Sequence, residues 1–165
     1  MWQRIQTLYI VVAFALCIAC LCTPLANFVV REEFNQTGAY AGFWDGYDRV
    51  EMYNLWLTSG FKRVFYFCPI LMALLVITAA LVFLDIWLYK QRALQMRIAT
   101  FCMILLVAWN IAYGAVIYLL MSNLMQTWRP HWTAALPAVA LILLYLAFRG
   151  ILKDEMLVRS LDRLR

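Results

Sequence analysis

Four long stretches of this chain contain no charged residue: Ile5 to Val30, Val64 to Leu84, Ile98 to Met121, and the run between His131 and Arg149. The second alone would rise roughly 31 Å as a helix at 1.5 Å per residue, about the thickness of a bilayer core. A chain built this way has few soluble folds open to it. It is 66% hydrophobic and 14% charged, where soluble domains run near half apolar and a quarter charged. Its 165 residues suffice for a single domain.

The expected fold is therefore an all-α membrane protein: a four-helix bundle with spans at about residues 7–28, 64–89, 98–122 and 133–149. The first run is too long for the apolar region of a signal peptide, and Cys17-Ile18-Ala19 before Cys20 is a poor lipoprotein box. Pro24 lies near the exit of that span. Pro69 and Pro137 lie in the first turns of theirs, where a missing N–H is least harmful. Asp85, Trp87 and Tyr89 close the second span, the aromatics as an interfacial belt.

Between the first two spans, residues 31–63 form the one substantial polar segment. It holds six large aromatics from Tyr40 to Trp56. Asp45-Gly46 sits between two aromatic-rich runs, 41–44 and 47–53, and both residues tolerate the positive φ of a type I′ turn. A small extracytoplasmic β-hairpin is expected there, leaning on the helix ends because an isolated hairpin is marginal in water.

The fourth span runs straight into the most charged stretch of the chain, residues 150–165. Leu157, Leu161 and Leu164 share a helical face. Glu155–Arg159 and Arg159–Asp162 are oppositely charged pairs at helical spacing, and Arg163 and Arg165 suit a helix C-terminus. This predicts a cytoplasmic amphipathic helix, with Gly150 as a bend. It would lie on lipid headgroups or dock on a protein partner through Leu157, Leu161, Leu164, Arg159 and Arg163. It carries both signs of charge, so lipid charge alone does not account for its pattern.

With four spans both ends share one side. Arg4, Lys90, Arg92, Arg97, Arg149, Lys153, Arg159, Arg163 and Arg165 lie there; Arg31, Arg49, Lys62, Arg63 and Arg129 lie opposite. Nine basic residues against five place both termini and the 89–97 loop in the cytoplasm. The basic balance does not read as nucleic-acid binding, because no soluble basic patch carries it.

Candidate sites are few. Asp85 is the one acidic residue at the edge of a span, a default candidate for proton relay or ion binding; pairing with Lys90, Arg92 or Arg97 is the preferred reading. Asn110 lies nearer the midplane, roughly opposite a smooth stripe of Ala108, Ala112 and Ala115, and is expected to bond to a neighbouring helix. Cys17-x-x-Cys20 reads as packing rather than a redox or metal pair, since no histidine is near to complete a zinc site. Asp45, Asp48 and Glu51 lack an EF-hand spacing, and His131 reads as an interfacial anchor. No phosphate loop or nucleophile elbow is present in the sequence, so no catalytic residue, metal ligand or cofactor is assigned.

Three stretches share a resemblance: Met1–Thr7, Tyr89–Arg97, and Leu136-Pro137 with Ala147–Arg165. Together they resemble an uncharacterised family of small four-span inner-membrane proteins from Bacteroidetes-type bacteria. The resemblance covers the whole chain and implies location and topology, with no activity, cofactor or catalytic residue attached. The expected function is non-enzymatic: an accessory, assembly or scaffold role through a membrane or cytoplasmic protein partner. The alternative is a small transporter or ligand-binding protein using Asp85 and Asn110. Oligomeric state is not given by the sequence.

Overall fold

The computed structural model describes residues 2–30, 49–59, 62–64, 69–88, 91–123 and 125–162. Four helices dominate it: α1 (Trp2–Cys22), α2 (Pro69–Trp87), α3 (Arg92–Asn123) and α4 (Leu136–Asp162), the last preceded by a 3₁₀ turn at Trp132–Ala135. Three helical stretches are long and apolar enough to cross a membrane, Pro69–Trp87, Leu94–Ser122 and Trp132–Leu157; Gln6–Cys22 is a shorter apolar helix.

The helices form a closed ring. Both α1 and α3 pack against α2 and α4. The buried positions explain the packing: 6, 10, 13, 17 and 20 on α1; 71, 75, 78, 82 and 85 on α2; 95, 99, 102, 106 and 109 on α3; 137, 140, 144, 147 and 151 on α4. Each helix steps by alternating threes and fours, the spacing that keeps one seam facing its neighbours in left-handed packing at about 20°. The ring interior is apolar over most of its length, with Ile10, Leu75, Leu106, Trp109 and Leu144 fully buried.

Among the described residues five strands make one antiparallel sheet: β1 (Ala26–Val30), β2 (Arg49–Met52), β3 (Leu57–Ser59), β4 (Lys62–Val64) and β5 (Met125–Pro130), in the order β4-β3-β2-β1-β5. All of them follow or precede a helix at the same end, so the sheet caps that end of the ring. The opposite end, called the base below, holds the start of α1, the α2–α3 connection and the charged part of α4. The sheet obeys the period of two. Ala26, Phe28, Val50, Met52 and Leu57 are buried, whereas Asn27 and Glu51 between them are exposed. The polar row runs in register, Asn27 opposite Glu51 and Glu51 opposite Thr58, with Arg129 facing Asn27 from β5.

Several expected boundaries shift. The first apolar run does not continue as a helix to residue 28. Pro24 has no N–H to extend the ladder and disfavours helix at Thr23, and Phe28-Val29-Val30 suit a strand. The second helix starts at Pro69 rather than 64, after β4; a first-turn proline has no donor to lose there. Among the described residues the cap at the strand end of the ring is a five-stranded sheet. The 49–52 limb pairs with β1 and β3. The Asp45–Gly46 turn itself lies outside the described residues.

The junction between ring and sheet is tightly hydrogen-bonded. Helix α1 ends with carbonyls that need donors. Thr23 Oγ1 donates to Ala19 O at 2.7 Å and Asn54 Nδ2 to Cys20 O at 2.7 Å. Leu25 N donates to Met52 O, and Leu25 O accepts from His131 N at 3.0 Å and from the Tyr113 hydroxyl at 3.3 Å. Thr133 Oγ1 donates to Pro24 O. One extended segment, residues 23–26, thus ties α1, α3, the sheet and the start of α4 together.

Candidate functional site

Polar residues gather on the inner face of the ring at its base. Reading each buried seam toward that end, the apolar series gives way to Gln6 on α1, Asp85 on α2 and Gln95 on α3. Their exposures are 9%, 1% and 6%. Half-buried Asp154 follows Ile151 on α4 at the same spacing.

Two of them meet directly. Gln6 Nε2 donates to Asp154 Oδ2 at 2.9 Å. The contact is possible because residue 150 is glycine: a Cβ there would sit 3.0 Å from both Cγ and Nε2 of Gln6. Helix α4 runs unbroken through Gly150 to Asp162. The glycine is the flat spot that lets the α1 side chain lie across α4. Gln6 and Asp154 belong to two stretches 148 residues apart in the chain.

Asp85 is different. Both carboxylate oxygens are buried with no hydrogen-bond partner among the described residues. Of the expected partners, Arg97 is exposed; Lys90 and the Arg92 side chain lie outside the described residues. The carboxylate is buried in the inner seam of α2, one position on from Val82 in the three-and-four series. Gln95 shares its level. Gln91 N bonds Leu88 O across the short α2–α3 connection, and Asp85 and Gln95 each lie about one turn from it.

Asn110 does not join them. It stands eight residues beyond Cys102 on α3, roughly 12 Å along the axis, and it is only half-buried. Its Nδ2 donates to Leu106 O of its own helix at 2.8 Å, so the expected bond to a neighbouring helix is replaced by a local one. The Ala108, Ala112 and Ala115 stripe is likewise not the packed face. Ala115 is exposed, and the seam runs through Cys102, Leu106 and Trp109.

On the tail, Leu152, Met156 and Leu157 are exposed at 38%, 57% and 55%. The side chains of Arg159 and Leu161, and residues Arg163 and Leu164, lie outside the described residues. At the sheet end, His131 does more than anchor. Its Nδ1 lies 3.0 Å from Thr133 Oγ1; that hydroxyl spends its single hydrogen on Pro24 O, so Nδ1 carries the proton and donates. Glu51 accepts from the Tyr53 hydroxyl at 3.2 Å on the outer sheet face. A shallow hollow of about 230 Å³ beside it is lined by Asn27, Phe28, Val29, Thr127 and Arg129. Cys17, Cys20 and Cys102 are buried free thiols. Among the described residues no three His, Cys, Asp or Glu side chains are grouped to hold a metal.

Gln6 and Gln95 are the residues that sequence reasoning missed. Their signal was present: stepping back by three and four from Ile10 or Cys102 lands on a glutamine. No curated protein matches the chain in sequence. A family model matches residues 2–164, nearly the whole chain. The chain therefore belongs to the family described as a domain of unknown function, DUF4293.

Proposed function

We propose that this chain is a bacterial inner-membrane protein, a four-helix bundle that crosses the bilayer four times with both termini and the base of the ring in the cytoplasm. In this reading α1 spans as well, its short apolar length completed by β1 and the capped junction. The distribution of basic residues supports the orientation.

Its proposed role is non-enzymatic: an accessory, assembly or scaffold protein that works by binding another protein. The observation that carries this reading is the end of α4. It extends as unbroken helix beyond Ile151, the last buried residue of its seam among the described side chains, with Leu152, Met156 and Leu157 exposed and the Gln6–Asp154 bond holding it to the ring. A helix held rigid and apolar on its outside is a suitable docking face. Deleting residues 155–165 should abolish in-cell photocrosslinks from position 156 to one defined protein while membrane insertion is unchanged. Crosslinks to lipid and self alone would remove the basis of the reading.

A second reading is favoured by the buried, unpartnered Asp85: a small membrane protein that binds a ligand inside the ring. Asn110 has no part in it. Asp85→Asn should abolish a cellular phenotype without lowering protein level; a wild-type phenotype would count against it.

A further inference from the structure

Polar side chains on these helices mostly find donors or acceptors close at hand. Thr78, Thr100 and Asn110 donate to the carbonyl four residues back, the usual local solution for a polar group in a helix. Gln6 donates to Asp154. Asp85 cannot copy them. An ionised carboxylate is an acceptor only, and the nearby helix backbone offers carbonyls, which are acceptors too. A buried charge left in that state is too costly to persist. Something bearing one positive charge must reach it.

Among the described residues of the helix seams, the buried polar side chains other than Thr78, whose hydroxyl is spent on Leu74 O, lie on the base side of Asp85. Toward the sheet the seams carry Val82, Leu75, Leu106 and Leu144, all buried. Toward the base they carry Gln95 and Gln6, with exposures rising from 1% at Asp85 to 6% and 9%. Small residues, Ala99 and Ala147, stand in the seams at this depth. One carboxylate with one amide beside it matches a single charge. A divalent ion asks for more oxygen ligands than this level supplies.

We propose that the base of the ring is a one-sided inlet that delivers a single positive charge, as a proton or a hydrated monovalent cation, to the Asp85 carboxylate past Gln6 and Gln95. The proposal rests on the second functional reading and adds its ligand class and route. Gln95 is a positioning residue: its amide holds water or the cation at the level of Asp85. The apolar layers above close the path, so the charge enters and leaves by the base.

The test uses the full chain in oriented vesicles, with the native cysteines replaced. Gln95→Cys should react with a charged, membrane-impermeant thiol reagent added on the side of the base and not on the side of the sheet. Leu106→Cys should react from neither side. Gln95→Cys inert from the base, or labelled from the sheet side, overturns the inlet. Infrared difference spectra between the native chain and Asp85→Asn, taken in sodium, potassium and N-methylglucamine buffers, identify the charge without relying on a cysteine variant. A neutral-carboxyl band lost in Asp85→Asn and indifferent to the buffer cation identifies a proton. A carboxylate band that shifts when alkali ions are replaced identifies a metal cation. No Asp85-dependent band of either kind overturns the site itself. An Asp85-dependent band together with a sealed Gln95→Cys retains the site and overturns only the route.

Discussion

A Cβ added at residue 150 would fall 3.0 Å from both Cγ and Nε2 of Gln6. The glycine therefore belongs to the contact between α1 and α4, although it lies inside a helix where alanine would ordinarily be better by about 1 kcal/mol. Gly150→Ala should push Gln6 off Asp154 and lose a charge-assisted hydrogen bond worth about 1–3 kcal/mol. The net result is a protein equal to or less stable than the original. In a Gln6→Ala background the same substitution should stabilise by about 1 kcal/mol, because only propensity remains. Reversible unfolding in detergent, run as a double-mutant cycle, checks the change of sign; an identical effect in both backgrounds would sink the packing argument.

Asn54 joins the sheet to the end of α1 through its bond to Cys20 O. Asn54→Asp has nearly the same shape but no donor when ionised. It should lose about 1–3 kcal/mol of stability and raise amide exchange around residues 20–25. A full-strength cap in Asn54→Asp, seen as unchanged exchange, would contradict the assignment.

How much of this was legible beforehand depends on which physics set each feature. The absence of charge over Val64–Leu84 and Ile98–Met121 pointed to two of the helices long and apolar enough to cross a membrane, Pro69–Trp87 and Leu94–Ser122, because a continuous apolar run of that length suits a spanning helix. The same argument overran at Pro24. Hydrophobicity cannot tell an apolar strand from the end of an apolar helix, and Phe28-Val29-Val30 serve either. Strand β5 is not legible in the local sequence because its pairing with β1 joins residues about a hundred positions apart. At the candidate site, Asp85 was visible as a charge at the edge of a span, but its inward direction follows from the three-and-four seam. Asn110 was misjudged because a local carbonyl competes with any neighbouring helix for its donor.

Thr133 both accepts from His131 and donates to Pro24 O. Thr133→Ser keeps both bonds and should cost little. Thr133→Val removes the hydroxyl and leaves the Pro24 carbonyl short of a partner, at a cost of about 1–3 kcal/mol. In the wild type, nitrogen NMR of His131 should find the proton on Nδ1; a neutral ring protonated only on Nε2 would reverse the direction assigned to that bond.

Asp85 is expected to oppose folding while serving its ligand. Asp85→Leu replaces a buried, unpartnered carboxylate by an apolar side chain of similar size, and should raise stability by about 1–3 kcal/mol. Chemical or thermal unfolding in detergent gives the comparison. A destabilised Asp85→Leu would mean that the carboxylate already has a partner that holds the ring together.

The central claim is that α1 crosses the membrane beside α4, bringing both ends of the chain together on the cytoplasmic side. Its most direct measurement places Gln6→Cys and Asp154→Cys in one otherwise cysteine-free chain in native membranes. The account predicts that both thiols are labelled by an impermeant reagent from the cytoplasmic face only, and that mild oxidation or a short crosslinker joins them within one chain. Labelling from opposite faces with no crosslink would contradict it.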